Sequence, residues 1–283
     1  MAKKMKKAFT ITELLVAIGL MAVVLAASGL IFHYSVDAQR TASATSEIMR
    51  NLRAITDQLN ADFEGLCKEA PLFLYVGFKE NGSEEVRADR VVFFSTGDFR
   101  TTRQYNNKTV VGNVARIFYG QSAVVSGGIC PDPCSLSEED RREKILFRKQ
   151  IILTSDSDPD SYSDDSIEYI TTSLAKEISK YVANRIQTLQ DWGIRPEVDP
   201  NNEEDIPMFL ARGVDNFTIQ ADANDTDRID PNGVLNWRPE NDDIHNFDEN
   251  YYPNALKFTF TLYDSKGIIK NGRTFTHIVY IGR

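Results

Sequence analysis

Histidine, tryptophan and cysteine are scarce in this sequence of 283 residues, which has three, two and three of them, respectively. Three cysteines suit neither a disulfide-rich scaffold nor a zinc site with four cysteine ligands. His33, His245 and His277 are far apart in the chain, and no Gly-x-Ser-x-Gly elbow or phosphate-binding loop accompanies them. We therefore expect neither an enzyme nor a bound cofactor or metal.

Basic residues are also in deficit, with 32 Lys and Arg against 41 Asp and Glu, a formal net charge of −9. Four of the basic residues, Lys3, Lys4, Lys6 and Lys7, fall within the first eight positions. A chain that lost this segment would have 28 basic and 41 acidic residues, a net charge of −13. Because such a surface repels phosphate backbones, we expect no nucleic acid partner.

Two short segments are dense in acidic residues. Residues 156–165 read DSDPDSYSDD and residues 222–230 read DANDTDRID. Both are dense in the oxygen ligands that calcium prefers, but 156–165 lacks the glycine and the terminal glutamate of an EF-hand loop. We interpret both segments as solvated loops, and calcium binding stays open.

Cys130 and Cys134 flank the short sequence Pro-Asp-Pro. Two prolines in so short a loop could hold the thiols close enough for a disulfide in an oxidising compartment, or the thiols could stay free. Cys67 is then single, and we interpret it as a small, partly buried helix residue.

Residues 9–32 form an apolar run of 24 residues that contains one formal charge, Glu13. A helix of this length is about 36 Å long, enough to cross a hydrocarbon core of about 30 Å. The preceding lysines place the N-terminus in the cytoplasm and the rest of the chain outside it. The alternative is a secretory signal cleaved after Ala42-Ser43-Ala44, but the apolar run exceeds the 7–15 residues of a signal core.

Residues 6–18, KKAFTITELLVAI, resemble the type IV prepilin signature. The shared features are a short basic leader, a small residue before the cut, Phe as first mature residue and Glu as fifth. The resemblance implies that a prepilin peptidase cleaves between Ala8 and Phe9 and methylates the amine of Phe9. It also implies that Glu13 pairs with the amine of a neighbouring subunit, or with its own. Since the family usually has Gly where this chain has Ala8, we expect slower processing.

An amphipathic helix follows the apolar run. Its apolar residues recur at spacings of three and four, at Ile48, Leu52, Ile55, Leu59, Phe63 and Leu66. No proline occurs from Phe9 until Pro71, which predicts one long helix of about 60 residues. The predicted organisation is a leader (1–8), a transmembrane helix (9–32), an amphipathic continuation (33–70) and a periplasmic domain (71–283).

In the domain, short segments rich in β-branched and aromatic residues predict β-strands. The predicted strands are residues 90–95, 113–119, 144–153, 214–221, 256–263 and 274–281. Apolar spacing predicts a second helix over 167–189, and 206–213 is interpreted as a connector. The predicted fold class is α+β, with a long N-terminal helix packed on an antiparallel sheet, as in pilins.

A second resemblance lies mainly in the C-terminal third. Residues 209–217 (FLARGVDNF), Trp237 and residues 252–258 (YPNALKF) resemble J-type minor pseudopilins of type II secretion, as does LNADF at 59–63. This resemblance implies a place at the filament tip beside the I-type and K-type minor subunits and the major pseudopilin. The length of the chain also favours a minor subunit, because insertions around the helix bundle would obstruct repeated packing.

The sequence therefore predicts a minor pseudopilin of the inner membrane that helps to initiate or cap a periplasmic pseudopilus. A minor type IV pilin for adhesion or DNA uptake is the alternative within the same class. A signal-anchored periplasmic enzyme or binding module is the alternative from a different class.

Overall fold

One 54-residue helix, α1 (Ile11–Glu64), begins the described part of the chain. The computed structural model describes residues 10–75, 78–81, 84–87, 89–105, 107–125, 128–130, 144–154, 168–183, 208–222, 237–238, 244–247 and 252–281. The helix ends before Gly65, whose carbonyl accepts the backbone N–H of Thr96 at 2.6 Å. A Cβ at Gly65 would overlap the carbonyl oxygen of Thr96, so glycine permits this close approach. The predicted long helix is confirmed, and it ends at Glu64 rather than running on toward Pro71.

The second half of α1 carries the predicted apolar stripe. Ile48, Ile55 and Leu59 are fully buried and Phe63 is 3% exposed. Leu52 and Leu66 are half-buried and pack against the same core. The three-four spacing therefore marked the face that meets the domain.

The strands of the domain follow α1 in two groups separated by a short helix. Before the helix come β1 (Leu72–Tyr75), β2 (Phe78–Asn81), β3 (Glu84–Arg87), β4 (Arg90–Tyr105), β5 (Lys108–Val125), β6 (Gly128–Cys130), β7 (Lys144–Thr154) and β8 (Tyr169–Thr171). The helix is α2 (Leu174–Ala183), and after it come β9 (Phe209–Arg212), β10 (Val214–Asp222), β11 (Trp237–Arg238), β12 (Ile244–Phe247), β13 (Ala255–Leu262) and β14 (Arg273–Tyr280). All six predicted strands are confirmed, although β4 and β5 are much longer than predicted.

Two main sheets and one hairpin organise these strands. The larger sheet has the order β12-β1-β4-β5-β7-β8, with β6 also pairing with β5 and β9 with β7. The smaller sheet has the order β11-β10-β13-β14, and β2 pairs with β3. The pairings are antiparallel except for β7 with β8, which is parallel. The α+β class is confirmed, and one sheet is mixed rather than purely antiparallel.

The start of the second helix and the connector at 206–213 were predicted wrongly. Residues 169–171 form β8 against β7, and α2 begins at Leu174 after the side chain of Ser173 accepts the N–H of Lys176 at 3.3 Å. Ile170 fits the helical spacing, but its backbone completes the sheet instead. Residues 184–189 of the predicted helix lie outside the described residues. Within the predicted connector, 209–212 form β9, which pairs with Ile145–Phe147 of β7.

Aromatic side chains join α1 to both main sheets. The ring of Phe63 on α1 stacks on that of Phe93 on β4 with centroids 4.1 Å apart, and it lies 5.7 Å from the ring of Phe258 on β13. All three residues are buried. The second half of α1 is therefore part of the core, and removing it would expose the inner faces of both sheets.

Candidate functional site

The first turn of α1 is closed by Thr10 and Glu13. Thr10 is extended (φ −79°, ψ 149°), and its backbone N–H and its hydroxyl each donate to Oε2 of Glu13 at 2.9 Å. The N–H of Glu13 in turn lies 3.3 Å from the hydroxyl oxygen of Thr10. This reciprocal arrangement is a capping box, which satisfies backbone donors that the first turn leaves unpaired. It turns the Glu13 carboxylate toward the N-terminal end of the helix.

The predicted processing residues immediately precede this cap. Ala8 and Phe9 lie outside the described residues, so cleavage between them and methylation of Phe9 stay predictions. Thr10 is the next residue along the chain, and its N–H is one of the two donors to Glu13. A carboxylate at this position is favoured by the positive end of the helix dipole. Chemically, it can accept a hydrogen bond or an ion pair from a cationic group near the helix start.

The first half of α1 is apolar on all sides and touches no part of the described domain. Large apolar side chains between Ile11 and Phe32 are 58–79% exposed. The most apolar 18-residue window of the helix has a mean hydropathy of 2.7 and is 0% buried. By length and composition, α1 can cross a bilayer.

The stalk, which we define as residues 33–43, links this apolar half to the domain. His33 Nε2 and Asp37 Oδ2 lie 3.2 Å apart, and Tyr34 is 70% exposed. Ala44 is the first buried residue of the helix. The boundary between apolar and polar exposed surface therefore falls at about His33, and the domain begins at Ala44.

A buried polar network fixes the second half of α1 to the larger sheet. Arg148 on β7 donates through Nε to Asp62 Oδ2 at 2.5 Å and through Nη2 to Asp62 Oδ1 at 2.7 Å. Tyr119 on β5 donates its O–H to Asp62 Oδ2 at 2.5 Å, and Gln58 donates to Oδ1 at 3.0 Å. Asp62 is 3% exposed. We call Asp62, Tyr119 and Arg148 the helix latch.

The electrostatics of the helix latch follow from its burial. Burial raises the pKa of Tyr119 well above its ordinary value, and the charge of Asp62 adds to this. Burial disfavours the charged form of Arg148, but the hydrogen bonds and charge of Asp62 outweigh that effect and raise its pKa. Both pKa shifts favour the protonated forms of Arg148 and Tyr119, which are the forms that donate to Asp62. Sequence reasoning missed the latch, although an acidic residue three positions after Leu59, on the buried face, was a signal.

The cysteines are only partly described. Cys67 is a free thiol, half-buried as predicted, but it lies beyond the end of α1 and its N–H donates to the carbonyl of Phe94 at 2.8 Å. Cys134 and the side chain of Cys130 lie outside the described residues. A disulfide between them stays a prediction.

No described group of three or more His, Cys, Asp or Glu side chains could hold a metal ion. The acidic segments 156–165 and 222–230 lie outside the described residues except for Asp222. His277 is close to α1, with Nε2 at 2.8 Å from Asn60 Oδ1, while His33 lies in the stalk. Both of these histidines lie in helix or sheet contacts rather than beside a nucleophile.

An apolar N-terminal helix of span length, capped by a glutamate, and a sheet domain packed on the second half of the helix define a pilin-like α+β architecture. Residues 3–29 match the family model for the prokaryotic N-terminal methylation motif. The match covers about a tenth of the chain and supports a type IV pilin-like protein. The motif implies processing by a prepilin peptidase and pilus-like assembly with other pilin subunits, and it is consistent with a single-pass membrane anchor. No curated protein and no solved structure matches the chain.

Proposed function

We propose that this protein is a minor pseudopilin of a type II secretion system, of the J type, and that it has no enzymatic activity. It helps to initiate or cap the periplasmic pseudopilus that drives protein export across the outer membrane. One observation supports this most: an exposed apolar helix half, opened by a capped glutamate, is continuous with a helix half that is part of the domain core. Such a helix can move from lipid into a filament without unfolding the domain.

The N-terminal chemistry gives the capped glutamate its role. Cleavage between Ala8 and Phe9 creates a cationic amine next to Thr10, and the Glu13 carboxylate already faces that end of the helix. Two unpaired charges in lipid would each be costly, whereas an ion pair neutralises both. Pairing of Glu13 with the amine of a neighbouring subunit therefore favours entry into the filament.

The size of the domain supports the minor role. The domain carries two main sheets behind α1, with long strands such as β4 and β5. In a repeated filament position this bulk would meet its own copies at every step, whereas at the tip it has a free side. The proposed partners are the I-type and K-type minor subunits and the major pseudopilin. In the proposed orientation the N-terminus is cytoplasmic and the domain periplasmic.

The proposal is tested by Glu13→Ala in cells that lack the native gene, with Glu64→Ala as matched control at the exposed far end of the same helix. We expect the Glu13 variant to be made and folded, but protein export and co-purification with the other filament subunits to fall to the level of the deletion. Export with the control should match wild type. Normal export and incorporation of the Glu13 variant would contradict the proposal. Loss of surface pili with export intact would favour a minor type IV pilin instead.

A further inference from the structure

The last described segment departs from the acidic character of the chain. Residues 252–281 contain four basic side chains and one acidic one, Asp264, in a chain of net charge −9. Asp264 is fully buried, and its two carboxylate oxygens accept the backbone N–H groups of Ile268 and Ile269 at 2.8 Å each. The carboxylate shapes the loop between β13 and β14 from inside. The exposed charges of that loop are therefore all positive.

These charges lie at the end of the domain where α1 leaves it. We define the basic rim as the exposed residues Lys266, Lys270 and Arg273. Arg273 Nη2 donates to the Thr45 hydroxyl at 3.3 Å, beside the first buried residue of α1. The rim therefore lies beside the stretch of α1 at which the helix enters the domain, on the way to its apolar half.

Nearby acidic groups leave the rim positive. The carboxylate of Glu47 accepts the N–H and the hydroxyl of Ser265 at 3.1 Å each, and Asp37 is paired with His33 in the stalk. Within the described part of the chain, no carboxylate lies within ion-pair distance of Lys266 or Lys270. Ile268 stands between these lysines in the sequence and is 38% exposed. An exposed isoleucine flanked by two lysines suits a surface with anionic groups above an apolar layer.

The length of the stalk sets the distance between the rim and a membrane. Thr45 lies 13 residues after Phe32, which is about 20 Å along the helix axis. The headgroup layer occupies about 5–7 Å of this distance, which leaves about 13–15 Å for an upright helix. Membrane helices tilt by about 20° on average, lysine stems extend the reach, and the Debye length at physiological salt is about 8 Å. With the lysine stems extended, the rim charges come within about one Debye length of the headgroups, and a tilt toward the rim brings them closer.

We propose that the basic rim binds anionic lipid headgroups of the membrane that anchors the chain. An acidic face of another protein offers similar charge, but the lipid surface is held beside the rim by α1 itself. Tethering makes the contact intramolecular, so a few weak charge contacts suffice. The contact lays the domain against the bilayer and must break when the helix leaves the membrane. It depends on the membrane anchor and not on cleavage or on filament partners.

The test uses the full chain in lipid nanodiscs of phosphatidylcholine, with or without about 30% phosphatidylglycerol. Mass spectrometry follows the rate at which a dilute amine reagent acetylates Lys266 and Lys270. Lys108 is the internal reference: β4 passes the end of α1 at Thr96 and continues to Tyr105, which pairs with this exposed lysine at the start of β5, far along the strand from the rim. We expect phosphatidylglycerol to slow acetylation of the rim lysines at least about threefold, with Lys108 unchanged and the protection lost in high salt.

A charge-neutral variant sharpens the test without altering the lysines that are followed. Arg273→Gln should reduce the protection of Lys266 and Lys270, whereas Arg100→Gln, an exposed site on β4 beyond the end of α1, should leave it intact. Equal acetylation rates in both lipids would overturn the proposal. Protection that appears only after other filament subunits are added would overturn it in favour of an acidic protein surface. Because no peptidase or filament is present, neither result depends on the proposed role in secretion.

Discussion

The two halves of α1 have the same secondary structure and opposite surroundings. From Ile11 to residue 43 no residue is buried, whereas from Ala44 to Glu64 the helix contributes Ile48, Ile55 and Leu59 to the core. Up to Phe32 the first half is apolar on every side, the stalk that follows is polar, and the second half is apolar on one face. Apolar content alone therefore does not decide burial within this chain. Burial depends on how the apolar residues are arranged around the helix. A single apolar stripe packs against a sheet, whereas a helix that is apolar on all sides suits lipid or other helices.

The carboxylates of the two halves also differ in their burial and in their hydrogen-bond partners. Glu13 is exposed, and its hydrogen bonds within the described residues come from its own first turn, through Thr10. Asp62 is buried and accepts from two strands of the larger sheet through Tyr119 and Arg148. A local cap can be exchanged for a contact with another subunit at little cost. A buried ion pair between distant segments cannot be exchanged in this way. We therefore propose that the first half serves assembly, whereas the second half holds the domain together.

Removing the carboxylate of the helix latch should have the largest effect on folding. Asp62→Ala leaves the charged Arg148 and the O–H of Tyr119 buried without their acceptor, and we expect a loss of about 3–5 kcal/mol in the free energy of unfolding. Denaturant unfolding of the full chain in detergent measures this. Adding Arg148→Met should recover part of the loss, because no buried charge then stays unpaired. A loss below about 1 kcal/mol for Asp62→Ala would show that the latch does not hold the helix.

Equal truncations in the two halves should have unequal effects. Leu59 is fully buried and Leu25 is 66% exposed, so Leu59→Ala should lower the unfolding free energy of the domain by about 2–5 kcal/mol. Leu25→Ala should leave it within about 0.5 kcal/mol. The same denaturation measurement compares them. Similar losses for both variants would break the distinction between the halves.

The smallest expected effect concerns His277, whose Nε2 meets Asn60 on the second half of α1. Burial lowers the pKa of His277, and the charge of Asp57 partly opposes this. Since the unfolded chain takes up the proton first, this site should lower stability as pH falls through about 6.5 toward the folded pKa. His277→Gln should flatten that part of the stability curve, and Asp57→Asn should lower the pKa further, as seen by NMR titration.

A matched control is His33→Gln, because His33 lies in the stalk outside the domain. Its unfolding curve from about pH 7.5 to 5 should match that of the wild type. A folded-state pKa of His277 above about 6.5 would contradict the effect of burial.

Local pattern predicted much of the fold. The stripe from Ile48 to Phe63 and strands such as Val214–Asp222 are set by spacing and alternation within one segment. Strands β1 and β9, each of four residues, were missed because they depend on partners elsewhere: β1 pairs with β4 and β12, and β9 with β7. Ile170 was placed in a helix for the same reason, since only its pairing with Leu153 marks it as a strand residue.

The functional residues divide in the same way. Glu13 and its neighbours follow from a short sequence signature, and the Thr10 cap follows the spacing of a capping box. The helix latch joins Asp62 to Arg148, 86 positions away, so no local pattern contains it. The basic rim was not predicted, because the net charge was taken over the whole chain, in which acidic residues outnumber basic ones.

The N-terminus of the natural protein tests the account most directly. We predict that mass spectrometry of the protein from its own membrane finds a mature chain that begins at Phe9 with a methylated amine, and therefore retains the whole of α1. An intact Met1, or a chain that begins beyond Ala44, would contradict the account, because Glu13 would then have no new amine beside it or would be absent.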